Sequence, residues 1–348
     1  MRGRTITGLV LGTGAAVLVT VLALAGYFLG TYQAPPVDPA WAVEGSNEVP
    51  EGAVTVRYTG TATLVFSDGD TTWMTDGWFS RPGPLTLLYG QIEPDLDAID
   101  KGLERNLVSR LSAVFPVHSH YDHAMDAPEV AKRTGAVLLG SESTANIGRG
   151  WGLREEQIRV VRDREPIQLG KFTVTPIESK HFQFPDPKMA ARALGDPKIA
   201  TPLRPPVGAF DYKLGKAYAL HVAHPMGTWL IQGSAGFIEG GLEGYDADVV
   251  FLGVGALGSQ TDAYRENYWR ETVQRTNPSR VIPIHWDSLT GPIEAPFTGP
   301  VRAAAFFTKG SDKTLKFLKD KHATNPNIEF VTLPRYDVVV LFRPAATE

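Results

Sequence analysis

At 348 residues the chain can bury a full core, as one large domain or two modest ones. With 43% hydrophobic and 21% charged residues it has a globular balance, and a net charge of −4 with a pI near 6.1 gives no electrostatic ground for a nucleic-acid partner. There is no cysteine, which excludes disulfides, thiolate nucleophiles and Cys-type zinc sites and leaves histidine and carboxylate to hold any metal.

The first element is an apolar run, Ile6 to Leu29, with Arg2 and Arg4 before it and no further charge until Asp38. A helix rising about 1.5 Å per residue over such a run spans a hydrocarbon core of roughly 30 Å. Residues 1–30 are therefore expected to be a membrane anchor with its basic end in the cytoplasm and the rest of the chain on the extracytoplasmic side. The alternative is a cleaved signal, with Ala23-Leu24-Ala25 as the small-x-small site and a secreted or periplasmic product. Residues 31–50 hold four prolines and read as a linker, and residues 51–348 as one domain.

From Ala53 the pattern becomes regular. AVTVRYTG, TATLVFSDG and TTWMTDG read as short strands, residues 94–107 as a helix, and LSAVFPV as a buried strand ending at the histidines of VHSHYDHAMD. KFTVTPIES is a strand running into Lys180-His181, and residues 182–216 form a long Pro-rich insertion of the kind that is usually functional. YALHVAHPMGTWLIQG reads as a hairpin, ADVVFLGV as a buried strand, TDAYRENYWRETVQRT as a helix, and RVIPI as a strand ending in His285-Trp286-Asp287. A helix at SDKTLKFLKDK and a strand pair around IEFVTLPRYDVVVLF close the chain. Strands followed by helices in both halves predict an α/β fold.

The chemistry concentrates in HSHYDH. His118 and His120, two apart in extended or loop geometry, can aim both imidazoles at one ion. Asp122 and His123, on a turn entering a helix, can reach a second point nearby. A divalent metal held this way lowers the pKa of bound water toward neutrality and makes hydroxide available. Residues 253–258 (GVGALG) follow a strand as a dinucleotide fingerprint does, but the next strand ends in His285 rather than an acidic residue, so a Gly-rich turn at the site rim is expected. His221 and His224 read as structural and His322 as solvated. Phe182, Phe184, Met189, Phe210 and Tyr212 of the insertion, with Trp78 and Phe79 opposite, would either wall the site with apolar surface or merely pin the insertion down.

HSHYDH at 118–123 resembles the H-x-H-x-D-H signature of the metallo-beta-lactamase-fold hydrolases, and the resemblance runs over most of residues 53–345. It implies a four-layer αββα sandwich of two similar halves with metal at the seam. It assigns His118, His120 and His181 to a first ion, and Asp122, His123 and His285 to a second. It places Asp76 behind the ligands as a support that orients an imidazole, and gives Asp122 the further task of orienting the nucleophile or managing its proton. The implied cofactor is Zn2+, one or two ions, with Mn2+ or Fe2+ as substitutes. One position departs from the pattern: the family's bridging aspartate is replaced by Ser234, a poor neutral ligand, so the second ion should bind weakly or recruit Glu239 or Asp287. The spelling of HSHYDH and the late HWD look most like the branch holding N-acyl-phosphatidylethanolamine-hydrolysing phospholipase D and L-ascorbate-6-phosphate lactonase-like proteins. The expected activity is metal-dependent hydrolysis of a phosphodiester, ester or lactone in a small-molecule or lipid-like substrate. The alternative is a non-catalytic metal-binding or scaffold protein that keeps the fold.

Overall fold

A computed structural model describes the backbone of residues 2–306 and 310–344 and the side chains of residues 14–304 and 310–344. The strands are β1 (Val54–Gly60), β2 (Thr63–Ser67), β3 (Thr72–Thr75), β4 (Ala113–Phe115), β5 (Val137–Gly140), β6 (Ile158–Val160), β7 (Ile167–Leu169), β8 (Phe172–Ser179), β9 (Ala217–His224), β10 (Gly227–Gln232), β11 (Val249–Gly253), β12 (Arg280–Ile284), β13 (Glu329–Phe330) and β14 (Val339–Phe342). The helices are α1 (Arg2–Gly30), α2 (Pro84–Tyr89), α3 (Leu96–Arg105), α4 (Tyr121–Ala124), α5 (Ala127–Thr134), α6 (Glu142–Trp151), α7 (Pro187–Leu194), α8 (Asp262–Trp269) and α9 (Ser311–Thr324).

Among the described residues the strands form two seven-stranded sheets, ordered β14-β1-β2-β3-β4-β5-β6 and β13-β12-β11-β10-β9-β8-β7. Each half begins with antiparallel strands, β1–β3 and β7–β10, and continues with parallel ones, β3–β6 and β10–β13. This is an α/β fold of two mixed sheets, consistent with the expected sandwich. β14 leaves its neighbour in sequence and pairs with β1, so the expected terminal strand pair is instead split between the two sheets.

The inner faces of the sheets share one core. Phe66 of β2 lies 5.0 Å from Trp73 of β3 and 5.2 Å from Trp229 of β10, centroid to centroid, and so joins the sheets. β11 is buried at all five positions, as befits a central parallel strand covered on both faces. Each such fully buried Val, Leu or Phe contributes about 1.5–3 kcal/mol. Helix starts follow their caps: Asp95 accepts from the N–H groups of Asp97 and Ala98 at α3, and Ser141 accepts from Thr144 N–H at α6.

The N-terminal segment departs from expectation. The apolar stretch 6–29 lies on α1, partly outside the described side chains, and among the described residues no helix is long and apolar enough to cross a membrane. The side chains of α1 are described from residue 14 to Gly30. Its last turn packs on the domain, where the Arg302 guanidinium lies 5.3 Å from the Tyr27 ring. The expected membrane anchor, and the placement across a membrane that rested on it, are corrected accordingly. Residues 31–50 also lie against the domain: Trp41 is 5% exposed, Ala42 bridges to Thr332, and Asp38 pairs with Lys319 at 2.8 Å.

Candidate metal centre

The site forms where strands end. β4 delivers Val117 and His118, and a single helical turn follows: His123 and Ala124 both donate their N–H to the His120 carbonyl. That turn carries Asp122 and His123 inward, and both are buried. Asp76 follows β3 with φ +55, and Gly77 after it has φ +72. In this left-handed bend Asp76 accepts the Val117 N–H through Oδ1 at 2.9 Å, which fastens β3 to the histidine loop. His181 follows β8. His285 follows β12, again with positive φ (+58), and donates its N–H to the Thr61 carbonyl at 2.6 Å and the Tyr58 hydroxyl at 3.2 Å. Non-glycine residues in this region cost energy and persist where the surroundings hold them.

These placements bring six expected residues into two groups. His118, His120 and His181 offer ligand atoms within 4.8 Å of one another, and so do Asp122, His123 and His285. The groups touch, with the His118 and His123 rings 3.9 Å apart. In the second group His285 Nε2 lies 3.2 Å from His123 Nε2 and 3.3 Å from Asp122 Oδ2, and His123 Nε2 lies 3.5 Å from that oxygen. A tetrahedral ion with bonds of about 2.0–2.1 Å has ligand–ligand edges of about 3.4 Å. The donor spacing therefore fits a first-row divalent metal.

The tautomers agree with this fit. A carbonyl oxygen can only accept, so His120 Nε2 donates to Ala193 O at 3.2 Å and its Nδ1 keeps the lone pair, 3.1 Å from His118 Nε2. His181 Nδ1 donates to Phe182 O at 2.9 Å, which leaves Nε2 as the ligand atom. His123 Nδ1 stands 2.6 Å from Asp76 Oδ2, so its Nε2 faces His285 and Asp122. Each of these three rings is thus oriented by a partner on its far nitrogen.

Burial sets the charges. It pushes His118 and His181 well below the ordinary histidine value, helped by neighbouring imidazoles, and brings His120 down to about 4. His123 goes the other way: burial alone would lower it, but the Asp76 and Asp122 carboxylates raise it. Burial pushes Asp76 up as well, so one proton stays in the Asp76–His123 pair, and the Val117 N–H already given to the carboxylate favours Nδ1 as its place. Asp122 remains ionised despite burial because His123, then His285, hold it well below the carboxylate range.

Ser234 follows β10, is 6% exposed, and accepts the Phe182 N–H at 3.4 Å. It joins neither ligand group, nor do the two substitute carboxylates. Glu239 is exposed. Asp287 is committed elsewhere: its Oδ1 accepts the Thr61 N–H at 2.6 Å and the Tyr58 hydroxyl at 3.4 Å, from the two residues whose carbonyl (Thr61) and hydroxyl (Tyr58) accept His285 N–H. Sequence reasoning missed this clamp, and its only local trace is Gly60, where a Cβ would fall 2.3 Å from Asp287 Oδ2. Gly255 of GVGALG is likewise pressed on the site, a Cβ there lying 2.8 Å from His285 Nδ1.

Above the ligands lies a cavity of about 320 Å³ lined mostly by apolar groups. Phe182, Phe184, Met189, Phe210 and Tyr212 reach it, and the insertion carries α7 rather than a structureless run. Trp78 and Phe79 do not reach it. Both are fully buried, Trp78 against Tyr121 and Phe79 so close to Gly102 that a Cβ there would fall 2.1 Å from its ring. Leu87 and Leu88 of α2 and Leu29 of α1, unremarked in the sequence, line it instead.

The chain matches no protein-family model and no curated protein. Its neighbours among solved structures include metallo-beta-lactamase-fold proteins, metal-dependent hydrolases and a diiron beta-hydroxylase. Igni18, a metallo hydrolase from Ignicoccus hospitalis, shares 15% identity over 82% of this chain and 97% of its own, with a TM-score of 0.49. An isothiocyanate hydrolase from Delia radicum gut bacteria shares 16% over 84% and 99%, at 0.49. The metallo-beta-lactamase fold protein YhfI from Bacillus subtilis shares 14% over 82% and 99%, at 0.45.

Proposed function

We propose that the chain is a metal-dependent hydrolase acting on an ester, lactone or phosphodiester whose leaving or acyl portion is aliphatic. One observation carries the reading: two touching groups of His and Asp ligand atoms form the floor of an apolar cavity, through His120, Asp122, His181 and His285. Convergent polar groups under an apolar wall are the usual form of a small-molecule site.

His118, His120 and His181 would hold one divalent ion, and Asp122, His123 and His285 a second. Such an ion, when bound, polarises a substrate oxygen and makes hydroxide available near neutral pH. The chain's own residues supply the rest. Asp122, ionised and facing the cavity, can orient the attacking water. Asp76 holds His123 in the tautomer whose Nε2 faces inward. The apolar walls exclude bulk water and align the substrate's tail, so the head group meets the ligands in one orientation. We place the chain nearest the N-acyl-phosphatidylethanolamine phospholipase D and ascorbate-phosphate lactonase-like branch, on the spelling of HSHYDH and the His285-Trp286-Asp287 run.

The test is metal analysis of the purified chain followed by a panel of p-nitrophenyl carboxylic esters, lactones and bis(p-nitrophenyl) phosphate. Bound zinc, manganese or iron and turnover of one class, both lost in His118→Ala and His181→Ala, are expected. A chain that binds no divalent metal sinks the reading, and so does a metal-loaded chain inert to all three classes.

A further inference from the structure

The end of α1 and the strap after it belong to the site. Leu29 and Pro36 line the same cavity as His120, Asp122, His181 and His285. The strap is fixed there by backbone bonds: Gln33 N–H donates to Pro300 O at 2.9 Å, Gly299 N–H to Gln33 O at 3.1 Å, and Arg302 N–H to Thr31 O at 2.9 Å. Tyr32 adds a bridge to Val301 and a hydroxyl bond to Thr290 O at 3.3 Å, and Thr290, Pro300 and Val301 are themselves cavity residues. The fit is close, since a Cβ on Gly299 would fall 2.4 Å from the Ala34 carbonyl oxygen. One wall of the cavity is therefore built by residues outside the sandwich and held by partners that also line it.

Among the described lining residues the charged groups are Asp122 and Asp287, and Asp287 is engaged by Thr61 and Tyr58. Among the described lining residues no Lys or Arg meets a polar tail. A substrate extending away from the ligand floor must accordingly present aliphatic surface to Leu29, Leu87, Phe184 and Met189.

We infer that Leu29 and Pro36 form the far wall of this cavity and set the length of aliphatic chain that the site accepts. The inference rests on the hydrolase reading for its place in a reaction, but the wall can be tested without turnover. Each methylene buried against an apolar wall strengthens binding about fourfold until the wall is reached.

The experiment is calorimetric titration of the metal-free full-length chain with 1-hexanol, 1-octanol and 1-decanol, neutral probes that make no demand on a metal. Leu29→Trp is expected to weaken decanol at least tenfold while leaving hexanol within twofold, and Leu29→Ala to strengthen decanol relative to hexanol. Leu24→Trp, on the exposed side of the same helix, should leave the series unchanged. An equal effect of Leu29→Trp on all three alcohols, or a Leu29→Ala series identical to the parent, overturns the inference. Failure of the hydrolase reading is seen separately, as normal alcohol binding in a chain without turnover.

Discussion

Asp76 Oδ2 lies 2.6 Å from His123 Nδ1, and the other oxygen of the same carboxylate holds the Val117 N–H, one residue from His118. The carboxylate thus supports both ligand groups, one through a side chain and one through the backbone. Asp76→Asn presents an amide to Nδ1 and removes the charge that keeps a proton there. Loss of such a partner typically costs 10–100-fold in metal affinity. Equilibrium dialysis against zinc should show that loss for the more weakly held ion, with the ion of the His118, His120 and His181 group retained. Unchanged affinities for both would show that the pair does not orient His123.

Acid should destabilise the metal-free chain through its buried histidines, at pH values above the ordinary carboxylate range. The folded state keeps His118 and His181 well below the ordinary value and His120 at about 4, whereas unfolding returns each to about 6.5. Between these values the unfolded chain binds more protons than the folded one, so stability rises with pH. His123, Asp76 and Asp126, the last raised to about 6, oppose the trend, but at pH 5 each of the three lowered histidines takes up close to a whole proton on unfolding and together they outweigh it. Asp122 stays ionised throughout this window, since its folded value lies below the ordinary carboxylate range. Calorimetric melts of the metal-free chain should therefore fall steadily from pH 7 to pH 5. Equal melting temperatures at the two ends would contradict a buried neutral triad.

Asp287 is expected to matter for folding more than for chemistry. Its fully buried carboxylate faces Arg335 at 3.8 Å and holds the Thr61 N–H, beside the Thr61 carbonyl that fixes His285. Asp287→Ala leaves the mostly buried Arg335 without its anion, a class of change that costs about 3–5 kcal/mol. Urea unfolding measures this directly. A loss near zero would mean that water or a neighbouring carbonyl replaces the carboxylate.

Much of the centre was legible because its ligands are local or follow strands. HSHYDH packs four ligands into six residues, and His181 and His285 each close a strand whose burial shows in the sequence. What could not be read is non-local or conformational. The left-handed φ of Asp76 and His285 leaves no trace in composition, and the Asp287–Thr61 bond joins residues 226 apart. Trp78 and Phe79 follow Asp76 directly, yet the bend at Asp76 and Gly77 turns them into the core. β13 and β14 look like a hairpin pair, but their partners β12 and β1 come from different halves of the chain. In the apolar run 6–29, Tyr27 packs against Arg302 and Leu29 lines the cavity, contacts that an apolar signal does not foretell.

Ser234 tests how far the missing bridging anion limits the second ion. Gly233 before it presses on Val117, where a Cβ would fall 2.5 Å from a methyl, and Ser234 Oγ accepts the N–H of the residue after His181. Position 234 thus lies between the loop of His118 and His120 and the loop of His181. A carboxylate there extends one atom beyond the hydroxyl, can keep the Phe182 N–H, and adds the negative charge that a centre with Asp122 as its one carboxylate ligand lacks. Ser234→Asp should therefore raise the zinc count per chain at limiting free zinc from about one toward two, by the added anionic ligand. Elemental analysis after dialysis reads the change, with His285→Ala in the same background to show that the added ion occupies the second group. A stoichiometry unmoved by the aspartate would mean that position 234 does not reach the ligands and that the centre is built to work without a bridge.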